Sequence, residues 1–427
     1  MKLYYIFIFL LFFLTSIANA QEGVYVGKLN YGNSSLDYQI DIEQKENQLK
    51  VFFSSIEMNA YKIPALNVSY KNDALSFYIV SDFYTYEYNF EKEGNKLIGK
   101  LKVYTNSPEQ LLNTFETSLI KNETDISIIE KEEITFQSNG LQLKGTIWKP
   151  KTSNKRCLFY VTSSQGNDRS ATSAEALYFA NKGFVVFHYD KRGTGRSEGN
   201  WESATIEELA SDDVNALLFV SKTIEIPLSK IGIKGSSQGA IKIPYILSKL
   251  PQLKFGISVS CPGGTLLESD LNFWRNSNIN QIGKENINIA TKAQKASYEY
   301  LAGITSYKAV ENIQKQYGNQ SWFKYIWIPK KDIAKDKKLN FSGLTYFKKV
   351  TQPVLVIQGL SDNVIPENSY KVIDKALKKA GNKEYEIAIL KNTTHSMTII
   401  DAKFPYFQKL ESTYLSKIAK WVDSLKE

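Results

Sequence analysis

From about Gly23 to Leu119 apolar and polar residues alternate with period two. Leu36, Tyr38, Ile40 and Ile42 set the pattern, Tyr84, Tyr86, Tyr88 and Phe90 repeat it, and Leu97, Leu101 and Val103 continue it. Alternation of this kind buries one face of a strand and wets the other. Clusters of Gly and Asn at Tyr31-Gly32-Asn33, Lys71-Asn72-Asp73 and Gly94-Asn95 break the runs at hairpin spacing. The pattern predicts a small antiparallel all-β domain over residues 21–120, a barrel or a sandwich, and then a polar linker over 121–131.

The rhythm changes after a hairpin predicted from Glu132–Phe136 and Leu141–Trp148, which turns at Ser138-Asn139-Gly140. Short apolar runs at Cys157–Thr162, Phe184–Tyr189, Ile231–Lys234, Phe255–Ser260, Val354–Gln358 and Tyr385–Leu390 now alternate with segments of helix length. Continuous apolar strands separated by helices specify a parallel sheet covered on both faces. The expected architecture over 132–427 is therefore α/β. Thr205 and Glu208 are spaced as a capping box, and Phe407, Leu410, Tyr414, Ile418, Trp421 and Leu425 recur at helical steps. Between about 262 and 347 the strands stop, and an aromatic, helix-prone stretch with Trp274, Trp322 and Trp327 takes their place. It is expected to form a helical cap over the carboxyl edge of the sheet, its tryptophans lining a pocket or packing the cap itself.

Composition agrees with a folded chain of two domains: 427 residues, 43% hydrophobic, 23% charged. Residues 1–20 have the form of a secretory signal, with Lys2, the apolar run Leu3–Leu14 and the small-residue site Ala18-Asn19-Ala20. That run falls short of the ~20 apolar residues of a membrane span, so export to the periplasm or the exterior after cleavage near Ala20 is expected rather than retention as an anchor. Cys157 would open one strand and Cys261 close another, at opposite edges of the sheet, which predicts two free buried thiols. The formal charge of +9 is spread over scattered lysines interleaved with acids, and no nucleic-acid motif accompanies it.

The chemistry is concentrated at the ends of predicted strands. Gly235-Ser236-Ser237-Gln238-Gly239 runs from a strand into a helix, the context in which G-x-S-x-G holds a serine out at the top of a sheet and the following amide, here Gln238, faces an oxyanion. The pentad alone also occurs in ordinary turns. A serine hydroxyl needs a base to attack at neutral pH, and the chain offers two histidines, His188 and His395. His188 lies inside a predicted strand, where a packed structural histidine is expected. His395 follows the last predicted strand, and Asp362 follows the one before it in Gly359-Leu-Ser-Asp362-Asn-Val-Ile-Pro366. A carboxylate there would fix the histidine tautomer and favour the imidazolium.

With the turn Asp190-Lys-Arg192-Gly193-Thr-Gly195-Arg-Ser197, expected to be architectural and held by an Asp/Arg pair, these motifs resemble the α/β-hydrolase superfamily from about Glu132 to the end. Within it the chain is similar to exported carboxylesterases and serine-aminopeptidase-like hydrolases with an N-terminal β domain. The resemblance implies Ser237 as nucleophile, His395 as base, Asp362 as orienting acid, and Gln238 as an oxyanion donor. The usual His-Gly of the second oxyanion donor is absent, replaced by Thr162-Ser163-Ser164-Gln165-Gly166, and Ser164 is assigned that role. The expected reaction is hydrolysis of small or medium carboxylic esters through an acyl-enzyme, with no metal or cofactor. A serine peptidase acting on short peptides and a non-catalytic binding protein on the same scaffold are the alternatives.

Overall fold

The computed structural model describes residues 22–45, 48–122, 129–400, 404–405 and 408–426. The secretory signal assigned to 1–20 and most of the linker lie outside them. The chain divides into two compact units, residues 1–54 with 62–124, and residues 55–61 with 125–427.

The first unit is one antiparallel sheet of nine strands: β1 (Gly23–Tyr31), β2 (Ser34–Lys45), β3 (Gln48–Ser55), β4 (Ala60–Pro64), β5 (Leu66–Lys71), β6 (Ala74–Val80), β7 (Tyr84–Glu93), β8 (Lys96–Asn106) and β9 (Glu109–Lys121). Their order is β4-β3-β2-β1-β9-β8-β7-β6-β5, so the outermost strands are consecutive in sequence, the arrangement of a sheet curled toward a barrel. The alternating residues Tyr38, Ile40, Tyr86, Tyr88, Phe90, Leu101 and Val103 are buried. Phe77 stacks on Tyr88 at 4.9 Å, and Tyr38 shares a 2.5 Å hydrogen bond with Thr117, which satisfies its buried hydroxyl.

The second unit holds eight strands: β10 (Ile129–Ser138), β11 (Leu141–Pro150), β12 (Cys157–Tyr160), β13 (Val185–Tyr189), β14 (Ile231–Ser236), β15 (Phe255–Val259), β16 (Val354–Gly359) and β17 (Tyr385–Leu390). Their order is β10-β11-β13-β12-β14-β15-β16-β17. The first two pairings are antiparallel and β13 to β17 run parallel. Helices α1 (Ser173–Asn181), α2 (Ile206–Thr223) and α3 (Gln238–Lys249) join the early strands.

Successive residues of one strand feed opposite cores, as the pleat requires. Val354 and Val356 pack with Ile243, Ile246 and Leu217, whereas Leu355 and Ile357 pack with Phe179 and Ile418. Cys157 and Cys261 are both buried and free.

Between β15 and β16 come α4 (Leu266–Ile282), α5 (Ile287–Leu301), α6 (Tyr307–Tyr317) and the short α7 (Leu344–Phe347). Trp274 and Trp322 are buried in a cluster with Ile287, Ala290 and Ile313, so they pack the insertion itself, while Trp327 is half-exposed over Tyr298. Helix α8 (Ser369–Lys379) lies between β16 and β17, and α9 (Tyr414–Ser424) follows them. The helical periodicity expected from Phe407 becomes helix only at Tyr414. Leu410 is held instead in a bridge to Thr398, and Phe407 lies outside the described residues. No helix among the described residues is long and apolar enough to cross a membrane.

Candidate active site

Because β12 to β17 are parallel, the loops that follow β12, β14, β15, β16 and β17 all emerge at one end of the sheet. Those loops carry Ser164, Ser237, Ser260, Asp362 and His395 respectively. Topology alone therefore gathers residues far apart in sequence, as at the carboxyl edge of any open parallel sheet.

Ser237 sits between β14 and α3 with φ 53° and ψ −120°, a conformation that non-glycine residues rarely adopt. The turn is tight enough to exclude side chains on both flanks. A Cβ on Gly235 would meet the Gly239 carbonyl at 2.5 Å, and one on Gly239 would meet the Thr162 carbonyl at 3.0 Å. The Ser237 amide donates to the carbonyl of Val259 at 2.9 Å. One residue on, the Ser260 hydroxyl donates to the His395 carbonyl at 2.7 Å. The end of β15 thus anchors both the elbow and the histidine loop.

Asp362 has a fully buried side chain, and its Oδ2 lies 2.8 Å from His395 Nδ1. Its Oδ1 accepts from the amides of Val364 at 2.9 Å and Ile365 at 3.2 Å. With one oxygen held by the backbone, the other is aimed at the imidazole, whose side chain stays partly open to solvent at 18% exposure. Asn272 and Asn276 of α4 brace this loop by donating to the carbonyls of Val364 and Asn363.

Ser163 donates its hydroxyl to the Ser236 carbonyl at 2.7 Å, which fastens the loop after β12 to the elbow. Among the described residues the amides of Ser164 and Gln238 donate to no protein acceptor. Both assigned oxyanion donors are thus unclaimed.

The Asp190 turn is held differently from expectation. Asp190 bonds Arg169 through the amide and the guanidinium and also accepts from the Arg196 amide, whereas Arg192 forks onto Asp212 at 2.6 and 2.9 Å. The motif's own Asp and Arg therefore serve two separate ion pairs, one with Arg169 and one with Asp212. Gly193 and Gly195 have φ of 71° and 52°, and a Cβ on Gly195 would collide with the Asp190 carboxylate.

His188 is buried in β13, accepts from Trp148 Nε1 at 2.8 Å and contacts Thr172 Oγ1 at 2.8 Å. Burial, with the charge of Arg169, pushes its pKa down to about 3. A cavity of about 450 Å³ borders it, lined by Glu133, Trp148, Arg169 and Arg196 among others. None of Ser237, Asp362 and His395 lines that cavity.

Sequence reasoning missed the charged groups under the site. Lys242 Nζ meets Asp213 Oδ2 at 2.6 Å with both side chains fully buried, and Asp213 also receives the amide and hydroxyl of Thr162 and the hydroxyl of Tyr189. Lys191, buried, donates to the carbonyls of Ser163 and Gln165. The available signal was a lysine inside an apolar helical run at Ile241-Lys242-Ile243.

A mostly parallel sheet with a strained serine elbow, a carboxylate–histidine pair and a helical insertion defines an α/β hydrolase. A family model described as X-Pro dipeptidyl-peptidase (S15 family) matches residues 139–397, more than half of the chain, and the chain belongs to that family. It is a hydrolase of the serine type. Among solved structures it is similar to a Pyrococcus furiosus esterase at 15% identity, covering 71% of this chain and 96% of that one with a TM-score of 0.45. It is also similar to the α/β hydrolase GrgF from Penicillium sp. sh18 at 16% identity, over 69% and 98% of the chains, with a TM-score of 0.45. An acylaminoacyl peptidase of Pyrococcus horikoshii aligns at 17% identity over 84% of this chain and 57% of that one, with a TM-score of 0.43. No curated protein matches the sequence.

Proposed function

We propose that this chain hydrolyses carboxylic esters of small or medium size through an acyl-enzyme on Ser237. The observation that carries the reading is the Asp362–His395 contact of 2.8 Å, at the sheet edge that also presents Ser237 in its strained turn. Ser237 Oγ attacks the acyl carbon while His395 takes its proton, and Asp362 favours the resulting imidazolium. The amides of Gln238 and Ser164 receive the oxyanion. His395 returns the proton to the leaving oxygen as the ester bond breaks, and a water activated by the same base releases the acid. The apolar leader at Leu3–Leu14 supports action outside the cytoplasm.

A second reading, hydrolysis of short peptides with a free amino terminus, draws on the family description and on Asp270 of α4. This carboxylate is open to water yet walled by protein, and among the described residues it has no cationic partner. Partial burial, with Asp336 nearby, pushes its pKa up to about 6. A substrate ammonium there would relieve that desolvation.

Wild type and Ser237→Ala are compared on a panel of nitrophenyl esters and aminoacyl anilides. The ester reading predicts fast release of nitrophenol by wild type and loss by at least about a thousandfold in the variant. Anilides cleaved far better than esters, with that preference lost in Asp270→Asn, would establish the peptide reading. Esters cleaved equally by both proteins would remove Ser237 as the nucleophile, and a wild type that cleaves neither class would leave only a binding function.

A further inference from the structure

Lys191 is buried at 3% exposure, two residues past the end of β13, and no carboxylate among the described residues pairs with it. Its ammonium donates to the Ser163 carbonyl at 2.8 Å and to the Gln165 carbonyl at 2.5 Å, and it rests 4.2 Å from the centre of the Trp201 ring. A lysine this deep is ordinarily paired, or extends its amine to water. Here the hydration shell is replaced by an aromatic face and by two carbonyls of the one loop that carries the proposed oxyanion amide.

Peptide geometry gives those two hydrogen bonds a consequence. In a trans peptide unit the C=O and the following N–H point in opposite directions. A Ser163 carbonyl turned to Lys191 therefore turns the Ser164 N–H away from it, and the Gln165 carbonyl does the same for the Gly166 N–H. Gln165 has φ of 60°, which only outside restraints hold in place for a non-glycine residue. The hydroxyl of Ser163 is meanwhile tied to the carbonyl of Ser236 beside the nucleophile. The loop is thus fixed at the elbow by one group and oriented by Lys191 through another.

We propose that Lys191 is a positioning residue for acyl transfer, holding the Ser163–Gly166 loop so that the Ser164 amide is aimed at the oxyanion. This inference rests on the acyl-enzyme reading above. Burial, with Lys242 and Lys338 nearby and Asp213 opposing them, pushes the pKa of Lys191 down to about 7.

The test uses Lys191→Met, which keeps the apolar stem as far as Cε and removes the amine, and Lys191→Gln, which keeps two N–H donors on an arm one atom shorter. Both are assayed on the fastest ester of the panel, with thermal unfolding as a check of folding and an alkyl trifluoromethyl ketone as a probe that forms an oxyanion on the serine. Losing one oxyanion donor slows turnover about a hundredfold, so Lys191→Met should lower kcat by about thirty- to a hundredfold with KM changed less than about threefold. Its ketone inhibition constant should rise by the same factor as kcat/KM falls, and Lys191→Gln should lie between the two, about three- to tenfold below wild type. A folded Lys191→Met protein with kcat within about threefold of wild type overturns the proposal, as does a loss confined to KM with ketone affinity unchanged. If the methionine variant does not fold, wild-type kcat in Lys191→Gln overturns it in the same way. Ser237→Ala separates the two levels: an active Ser237→Ala protein removes the acyl-enzyme reading, whereas an inactive one beside a fully active Lys191→Met protein removes only the role of Lys191.

Discussion

A lysine withdrawn from water is stable only where other groups replace its hydration, and among the described residues three buried lysines adjoin the Ser237 turn in three different solutions. Lys234 meets Glu175 at 2.6 Å and faces the rings of Tyr160 and Tyr414. Lys191 has carbonyls and an indole. Lys242 has Asp213, and for this pair burial pushes the carboxyl up and the amine down while mutual attraction opposes both. Removing one member of a fully buried pair leaves the other charge unpaired, at about 3–5 kcal/mol. Lys242→Met is expected to lose that amount of stability in urea unfolding, and Asp213→Asn added to it should cost much less than Asp213→Asn alone. Equal costs in the two backgrounds would mean that the pair does not act as a unit.

Elements carry the site because parallel strands deliver every connecting loop to the same edge, and helices then fix those loops. The capping box of α2 is complete: the Thr205 hydroxyl accepts the Glu208 amide at 3.2 Å, and the Glu208 carboxylate accepts the Thr205 amide at 2.7 Å. Backbone contact to Glu208 holds its carboxyl below the usual carboxylate range. Thr205→Ala should reduce stability by about 1 kcal/mol and leave kcat unchanged, since Asp212 and Asp213, not Thr205, are the α2 residues bonded to Arg192, Thr162 and Lys242; a changed kcat in a folded protein would contradict this. What could be read in advance at this scale followed from burial. Val354–Gly359, buried throughout, opens on the unbroken apolar run Val354–Ile357, and the box at Thr205 and Glu208 is a local spacing. What could not be read depended on partners distant in sequence. Nothing near Asp190 points to Arg169, nothing near Lys242 points to Asp213, and Leu410 continues a helical spacing while sitting in a bridge to Thr398.

For the whole molecule, pH acts through groups that the fold holds in one protonation state. His188 stays neutral in the folded α/β unit down to about pH 3, but protonates near 6.5 once unfolded. The unfolded chain therefore binds the extra proton between those values, and stability falls as pH drops through that window, by about 1.4 kcal/mol per pH unit from this group. In His188→Gln, which can still accept from Trp148, the slope of unfolding free energy between pH 6 and 4 should be shallower by that amount, measured by urea titration at each pH; parallel slopes would show that His188 charges within the fold. Acyl transfer as proposed depends on a single hydroxyl at the carboxyl edge of the sheet. Labelling of wild type with a fluorophosphonate, followed by peptide mapping, should place one adduct on Ser237, absent from Ser237→Ala and slowed in His395→Ala. An adduct on another serine, or one undiminished in Ser237→Ala, would rule out Ser237 as the nucleophile.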